Sequence, residues 1–267
     1  MRFLRYPYAL YVCVNVFYKT TVAMFCSAKR LLMPFFAPFL FLSCPQKPIF
    51  AQQVSKKGVF SMLRVKDISL SFGTLQVLNG VSLHVGKGEV VCLCGESGCG
   101  KTTMLKAVLG FVDAGNSIEV DGKVLCADTV DEIRRMTAYV PQDLSLPYDT
   151  VEQMVVSLFE LRVNRGVKFS KENLFADWTL LGLDRGLYEK RVAEISGGQR
   201  QRIMLSVAGL TGKSLLLADE PTSALDADSV MLVANYFRML ARERGMAILV
   251  VSHSERFAKE CDEVVRL

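Results

Sequence analysis

The chain has 267 residues, 51% of them hydrophobic, enough to bury a substantial core in one large or two small domains. Its net charge of +5 is unevenly placed: residues 1–61 hold eight Lys/Arg and no Asp or Glu, leaving 24 basic against 27 acidic residues beyond them. The body, at −3, has no cationic excess with which to hold nucleic acid, and the eight cysteines of the whole chain lack metal-finger spacing and read as reduced thiols.

Residues 1–61 are basic and apolar. The longest apolar run, Leu31–Cys44, is interrupted by Pro34 and Pro38 and is shorter than the roughly 18–20 residues a membrane span needs. Met62 and the strand-like Leu63-Arg64-Val65-Lys66-Asp67-Ile68 read as an ordinary start. The first 61 residues are therefore expected to be a dispensable upstream extension, with a membrane-seeking tail or a processed signal as alternatives.

From Met62 onward strands and turns alternate. Val65–Phe72 and Val77–Val85 are predicted strands, with Asn79-Gly80 as a turn between apolar stretches and Gly86-Lys87-Gly88 as another. Val90–Cys94 has the length and apolarity of a buried strand. Cys92 and Cys94, two apart within it, are expected on opposite faces.

Gly95-Glu96-Ser97-Gly98-Cys99-Gly100-Lys101-Thr102 follows that strand, and the spacing of Leu105, Val108, Leu109 and Val112 predicts a helix over 102–112. This is the G-x-x-x-x-G-K-[ST] phosphate-loop pattern in the context it requires. A nucleoside triphosphate carries about four negative charges; glycines let backbone N–H groups wrap them, and the helix terminus adds a positive dipole end. Lys101 is placed to reach the outer phosphates, Thr102 to give a hydroxyl to Mg²⁺, and Thr103 to contact the inner phosphate. Cys99 brings a thiol next to bound nucleotide, so its alkylation should block binding and nucleotide should protect it.

Asp121-Gly122 marks a hairpin between Ile118–Val120 and Lys123–Leu125. Residues 142–196 are richer in helical pattern, and Trp178, Leu180, Leu181 and Leu183 read as helix core. Leu215–Ala218 is a buried-strand candidate ending in Asp219-Glu220, and Ala247–Val251 is another. Strands alternating with helices indicate a parallel sheet with ligands at its carboxyl edge. Asp219 would then join the Mg²⁺ shell, directly or through water, and Glu220 would act as general base or orient water toward the γ-phosphate. His84 reads as a structural strand residue.

Ile195-Ser196-Gly197-Gly198-Gln199, continued by Arg200-Gln201-Arg202, closely resembles the LSGGQ signature of the ATP-binding cassette (ABC) ATPases, and the resemblance covers about residues 63–267. It implies an α/β fold: a P-loop NTPase core of ABC-ATPase type, a small antiparallel β subdomain and an α-helical signature subdomain over about 143–205. It further implies that Ser196, Gly197, Gly198 and Gln199 close over the γ-phosphate held by a partner cassette, Ser196 serving as N-cap. Phe72 matches the aromatic that stacks on adenine, with core packing as the alternative. Gln142, in Tyr139-Val140-Pro141-Gln142-Asp143, matches the glutamine that senses Mg²⁺ and links to the membrane partner. Ser223-Ala224-Leu225-Asp226 matches the D-loop at the dimer seam, and His253 the switch histidine at the γ-phosphate.

The activity so implied is MgATP hydrolysis by a dimer of cassettes. That dimer would sit peripherally on the cytoplasmic face of the inner membrane and drive separate permease subunits. A soluble ABC ATPase of cofactor assembly is the alternative. The chain departs from the family in places: Ser206-Val207-Ala208-Gly209-Leu210 lacks the usual arginine, Lys213-Ser214 stands where proline often precedes the strand, and the usual tail after Leu267 is missing. Those departures bear on helix stability and carboxyl-terminal regulation rather than on the phosphate chemistry.

Overall fold

A computed structural model of the chain describes residues 61–143 and 147–267. The expectations for the first 61 residues, Ser61 apart, lie outside the described residues.

Two sheets organise the fold. The first is antiparallel, in the order β2-β1-β4-β5, from β1 (Ser61–Phe72), β2 (Leu75–Gly86), β4 (Ile118–Val120) and β5 (Lys123–Val124). The second is wholly parallel, in the order β6-β7-β8-β3-β9, from β3 (Val90–Cys94), β6 (Thr137–Val140), β7 (Leu215–Asp219), β8 (Ala247–Val251) and β9 (Glu263–Arg266). Every residue of β3, β6, β7 and β8 is buried, which is why these strands read as continuous apolar runs rather than alternating ones.

Helices α1 (Lys101–Val108), α2 (Val130–Met136), α3 (Val151–Glu160), α4 (Lys171–Leu180), α5 (Gly197–Leu210), α6 (Ala227–Arg244) and α7 (Glu255–Ala258) connect and cover the sheets. One apolar cluster lies between the antiparallel sheet, α1 and one face of the parallel sheet. The other joins the opposite face to α3, α4, α5 and α6, with Trp178, Leu181 and Leu183 buried as the helical pattern suggested, whereas Leu180 is exposed. Among the described residues no helix is long and apolar enough to cross a membrane.

Three local expectations are corrected. The chain does not turn at Asn79-Gly80: β2 runs through them, and the hairpin closes at Gly73-Thr74. Gly80, at φ +62°, donates its N–H to Ser69 Oγ where the β1–β2 register slips between Ile68 and Leu70, so the Asn-Gly pair makes a bulge; Asp67, at φ +49°, lies at a second slip between Val65 and Ile68. Asp121-Gly122 does form its hairpin, both residues taking positive φ as a two-residue loop demands.

The helix predicted to reach Val112 ends at Val108, because Gly110 turns left-handed at φ +69° and Arg134 donates from Nε to the Leu109 carbonyl and from Nη2 to that of Gly110. Cys92 and Cys94 share a face, their sulfurs 3.3 Å apart, since strand side chains two positions apart point the same way. Burial and the Cys92 thiol push the Cys94 thiol up to about 12, and all the described cysteines are free.

Candidate functional site

The carboxyl ends of β3, β7, β8 and β6 lie side by side and carry, respectively, the phosphate loop, Asp219-Glu220, Ser252-His253 and Pro141-Gln142. The loop is shaped by glycines at two points. Gly98 has φ +86° and open space around its missing Cβ, which leaves a concave backbone there. Gly100, at φ +99°, allows no Cβ at all: one would lie 2.8 Å from Val77 and Leu78 of β2, so the antiparallel sheet is pressed against the loop's end.

Glu96, Ser97 and Gly98 are exposed, and Gly95 and Cys99 are half-buried against each other. Lys101 is buried, its Nζ donating to the carbonyls of Gly95 at 3.0 Å and Glu96 at 2.7 Å. Its ammonium is thus held at the loop's mouth, 3.8 Å from Cys99 Sγ. Thr102 and Thr103 follow on the first turn of α1.

Thr102 Oγ1 donates to Asp219 Oδ1 at 3.1 Å, across 117 positions of sequence. Tyr139 donates to the other oxygen, Oδ2, at 3.4 Å. Burial raises the Asp219 pKa, opposed by those two hydrogen bonds and by Lys106 and Lys101. No cluster of three or more His, Cys, Asp or Glu side chains suited to a metal ion occurs among the described residues. A hydroxyl and one carboxylate are nevertheless the donor set with which Mg²⁺ is held when substrate phosphates and water complete its octahedron. The geometry at Thr102 and Asp219 fits that ion.

Glu220 takes φ +48°, rare for a residue with a side chain. Its Oε2 accepts from the His253 backbone N–H at 3.3 Å. Its buried Oε1 lies 2.9 Å from His253 Nε2 without a well-formed hydrogen bond. Burial raises the Glu220 pKa; His253 and Lys101 oppose the rise and Asp219 adds to it. A carboxylate so poised is a better proton acceptor than a solvated one.

Phe72 is 53% exposed at the hairpin tip, directly opposite Leu75 at 66%, which excludes the core-packing alternative. Gln142 is exposed just past the end of β6. Ser196 caps α5 in a reciprocal box: its Oγ accepts from Gln199 N at 3.1 Å, and Gln199 Oε1 accepts from Ser196 N at 2.9 Å. The signature packs on the loop after β7, since a Cβ on Gly198 would lie 2.8 Å from the Ala224 carbonyl. Asp226, in that loop, caps α6 by accepting from Ser229 N at 2.7 Å.

The structure thus gathers Lys101, Thr102, Asp219, Glu220 and His253 at one edge. Among the described residues, the hydrogen bonds of Ser196–Gln199 stay within α5 and none goes to the phosphate loop. Tyr139 is the site residue that the motifs did not single out. Its signal was a hydroxyl in a buried strand three positions before Gln142.

Comparison with known proteins is consistent throughout. The ABC transporter family matches residues 78–223. A lipoprotein-releasing system ATP-binding protein, LolD, of Novosphingobium aromaticivorans is 34% identical over 77% of this chain and 96% of its own length. A sulfate/thiosulfate import ATP-binding protein of Cucumis sativus is 38% identical over 76% of this chain, which spans 59% of that relative. Among solved structures, an ATP-binding subunit of an ABC transporter superposes with a TM-score of 0.66 at 28% identity, covering 77% of this chain and 85% of its own. A dimeric bacterial ABC transporter cassette gives 0.65 at 25% identity, covering 77% and 94%.

Proposed function

The chain belongs to the ABC transporter family of ATP-binding proteins, and from that premise we propose that it binds and hydrolyses MgATP as one half of a cassette dimer that energises a separate permease. One observation carries the reading: Thr102 and Asp219, far apart in sequence, meet at 3.1 Å within the same strand-end cluster as Lys101 and the Glu220–His253 pair.

In this reading Lys101 exchanges the carbonyls of Gly95 and Glu96 for the outer phosphate oxygens, as Glu96, Ser97, Gly98, Cys99 and Gly100 present their N–H groups and Thr103 meets the inner phosphate. Phe72 offers an exposed ring to the adenine. Thr102 and Asp219 would hold Mg²⁺, and Gln142, just past the end of β6, would add a ligand to it. The ion supplies neutralisation of charge on the phosphate oxygens. Glu220 orients a water and takes its proton as the water oxygen bonds to the γ-phosphorus and the bond to the β–γ bridging oxygen breaks. His253 steadies Glu220 and faces the γ-phosphate.

A single copy leaves the exposed Ser196 and Gly197 without a phosphate to hold. In the dimer they would close on the nucleotide of the partner, beside Gly198, Gln199 and Asp226. Loss of the γ-phosphate then removes the contacts that keep the halves together. The relatives' names, as ATP-binding proteins of import and release systems, support a peripheral role at the cytoplasmic face of the membrane.

The test uses the Glu220→Gln chain, sized by light scattering with ATP and Mg²⁺. A dimer with ATP and a monomer with ADP is expected. A chain that binds ATP yet stays monomeric at every concentration, with or without membrane partner, overturns the dimeric mechanism.

A further inference from the structure

Helices α4, α5 and α6 meet around one buried carboxylate. Asp177, on α4, is 2% exposed, and among the described residues the hydrogen bonds to its carboxylate come from α6. Arg244 grips it with both terminal nitrogens, Nη2 to Oδ1 at 2.6 Å and Nη1 to Oδ2 at 3.0 Å, and Tyr236 donates to Oδ2 at 2.6 Å. Burial, and Asp177 after it, hold the Tyr236 phenol well above its ordinary pKa, so it remains a donor. Arg244 Nη1 also donates to the Gly209 carbonyl of α5 at 3.2 Å.

This junction answers a question the sequence raised. Ser206–Leu210 of the signature helix lacks the family's usual arginine, and a guanidinium from another helix, 35 positions after Gly209, bonds to its last turn instead. The approach is as close as side chains allow: a Cβ on Gly209 would collide with Tyr236 Oη and lie 2.9 Å from Leu240. One turn earlier, Trp178 Nε1 of α4 donates to Ser206 Oγ at 3.1 Å. Ser206 and Gly209 lie three apart, on one face of α5.

The opposite end of α5 carries Ser196 and Gly197. From Gly209 to Gly197 a helix extends about 18 Å, so a tilt of about 5° at the held end moves the signature by roughly 1.5 Å. Misplacement by about 1 Å is enough to cost on the order of a hundredfold where a group must meet a phosphate.

We propose that the Asp177–Arg244 pair, with Tyr236, is a positioning device that aims the signature helix at the partner's nucleotide. It makes no contact with that nucleotide and acts only through α5. The inference rests on the dimeric reading above.

The experiment compares Glu220→Gln with Glu220→Gln carrying Asp177→Asn, Arg244→Lys or Tyr236→Phe. Two quantities are read: the affinity of the dilute monomer for a fluorescent ATP analogue, and the protein concentration at which saturating MgATP gives half dimer. Asp177→Asn is expected to raise that concentration by at least about tenfold while monomer affinity changes less than about twofold. Arg244→Lys, which keeps the charge and loses the fork, should fall between it and the parent.

Should Asp177→Asn fail to fold, Tyr236→Phe carries the test with a smaller shift in the same direction. Equal half-dimer concentrations in parent and variants overturn the proposal. So does parallel loss of both affinities, which is what a merely structural role would give. If the Glu220→Gln parent itself never pairs, the dimeric reading fails and this inference falls with it, a result distinct from the other two.

Discussion

The strand-end cluster and the helix junction handle buried charge in opposite ways. At the strand ends, Lys101 rests on loop carbonyls, Glu220 sits at a positive φ with one oxygen lacking a proper hydrogen bond, and burial raises the pKa of both Asp219 and Glu220. At the helix junction, Asp177 is as deeply buried yet has both oxygens bonded, and Trp178 finds a partner in Ser206. One region holds its buried charge on partners that a ligand can displace. The other spends its charge on fixing three helices. In these two regions the strained, partly unbonded carboxylate is the one placed for chemistry, and the fully bonded one is placed to hold geometry.

The sharpest way to break this contrast is to neutralise the strained carboxylate. Glu220→Gln should lower turnover by about 10²–10⁴-fold while leaving nucleotide affinity nearly intact, as steady-state hydrolysis and ATP titration would report. Brisk turnover in that variant would remove Glu220 from its role. On the other side, Trp178→Ala should cost about 3–5 kcal/mol of folding stability by denaturant unfolding, with ATP affinity of the folded protein unchanged. A Trp178→Ala protein of full stability but weakened ATP binding would erase the distinction between the two regions.

Smaller substitutions sharpen it. Gly209→Ala, forced against Tyr236 and Leu240, should destabilise by about 1–3 kcal/mol. The smallest effect has the opposite sign. A carboxyl whose pKa is raised in the folded chain binds its proton more tightly there than when unfolded. Ionised Glu220 therefore weakens the fold above its folded pKa, and that penalty fades as pH falls. Glu220→Gln should melt a few degrees higher at neutral pH, roughly 2–4 °C per kcal/mol for a chain of this size, and the gain should shrink in acid. A melting temperature that drops equally at both pH values would contradict the burial argument.

The same contrast explains what the sequence disclosed. The phosphate loop was readable because its chemistry is local: Gly95 to Thr102 form one unbroken motif between a strand and a helix. Asp219-Glu220 was readable because an apolar strand ending in acids has few other purposes beside such a loop. That β3, β7 and β8 pair in parallel was readable from strands alternating with helices, though their order was not.

Asp177 and Arg244 were not legible. They are 67 positions apart, and each looks like a surface charge until folding buries the pair. Tyr139 was missed for a related reason, since its value depends on which strand lies beside β6. The opposite-face placement of Cys92 and Cys94 was a misapplied period, and the overlong α1 came from giving Leu109 and Val112 more weight than Gly110.

The claim on which the rest depends is that Lys101, Thr102 and Asp219 belong to one MgATP site. Calorimetric titration of the chain with ATP and Mg²⁺, beside Lys101→Ala, tests it directly. The account predicts one nucleotide per chain for the parent and no measurable binding for the variant. Undiminished ATP affinity in Lys101→Ala would contradict it.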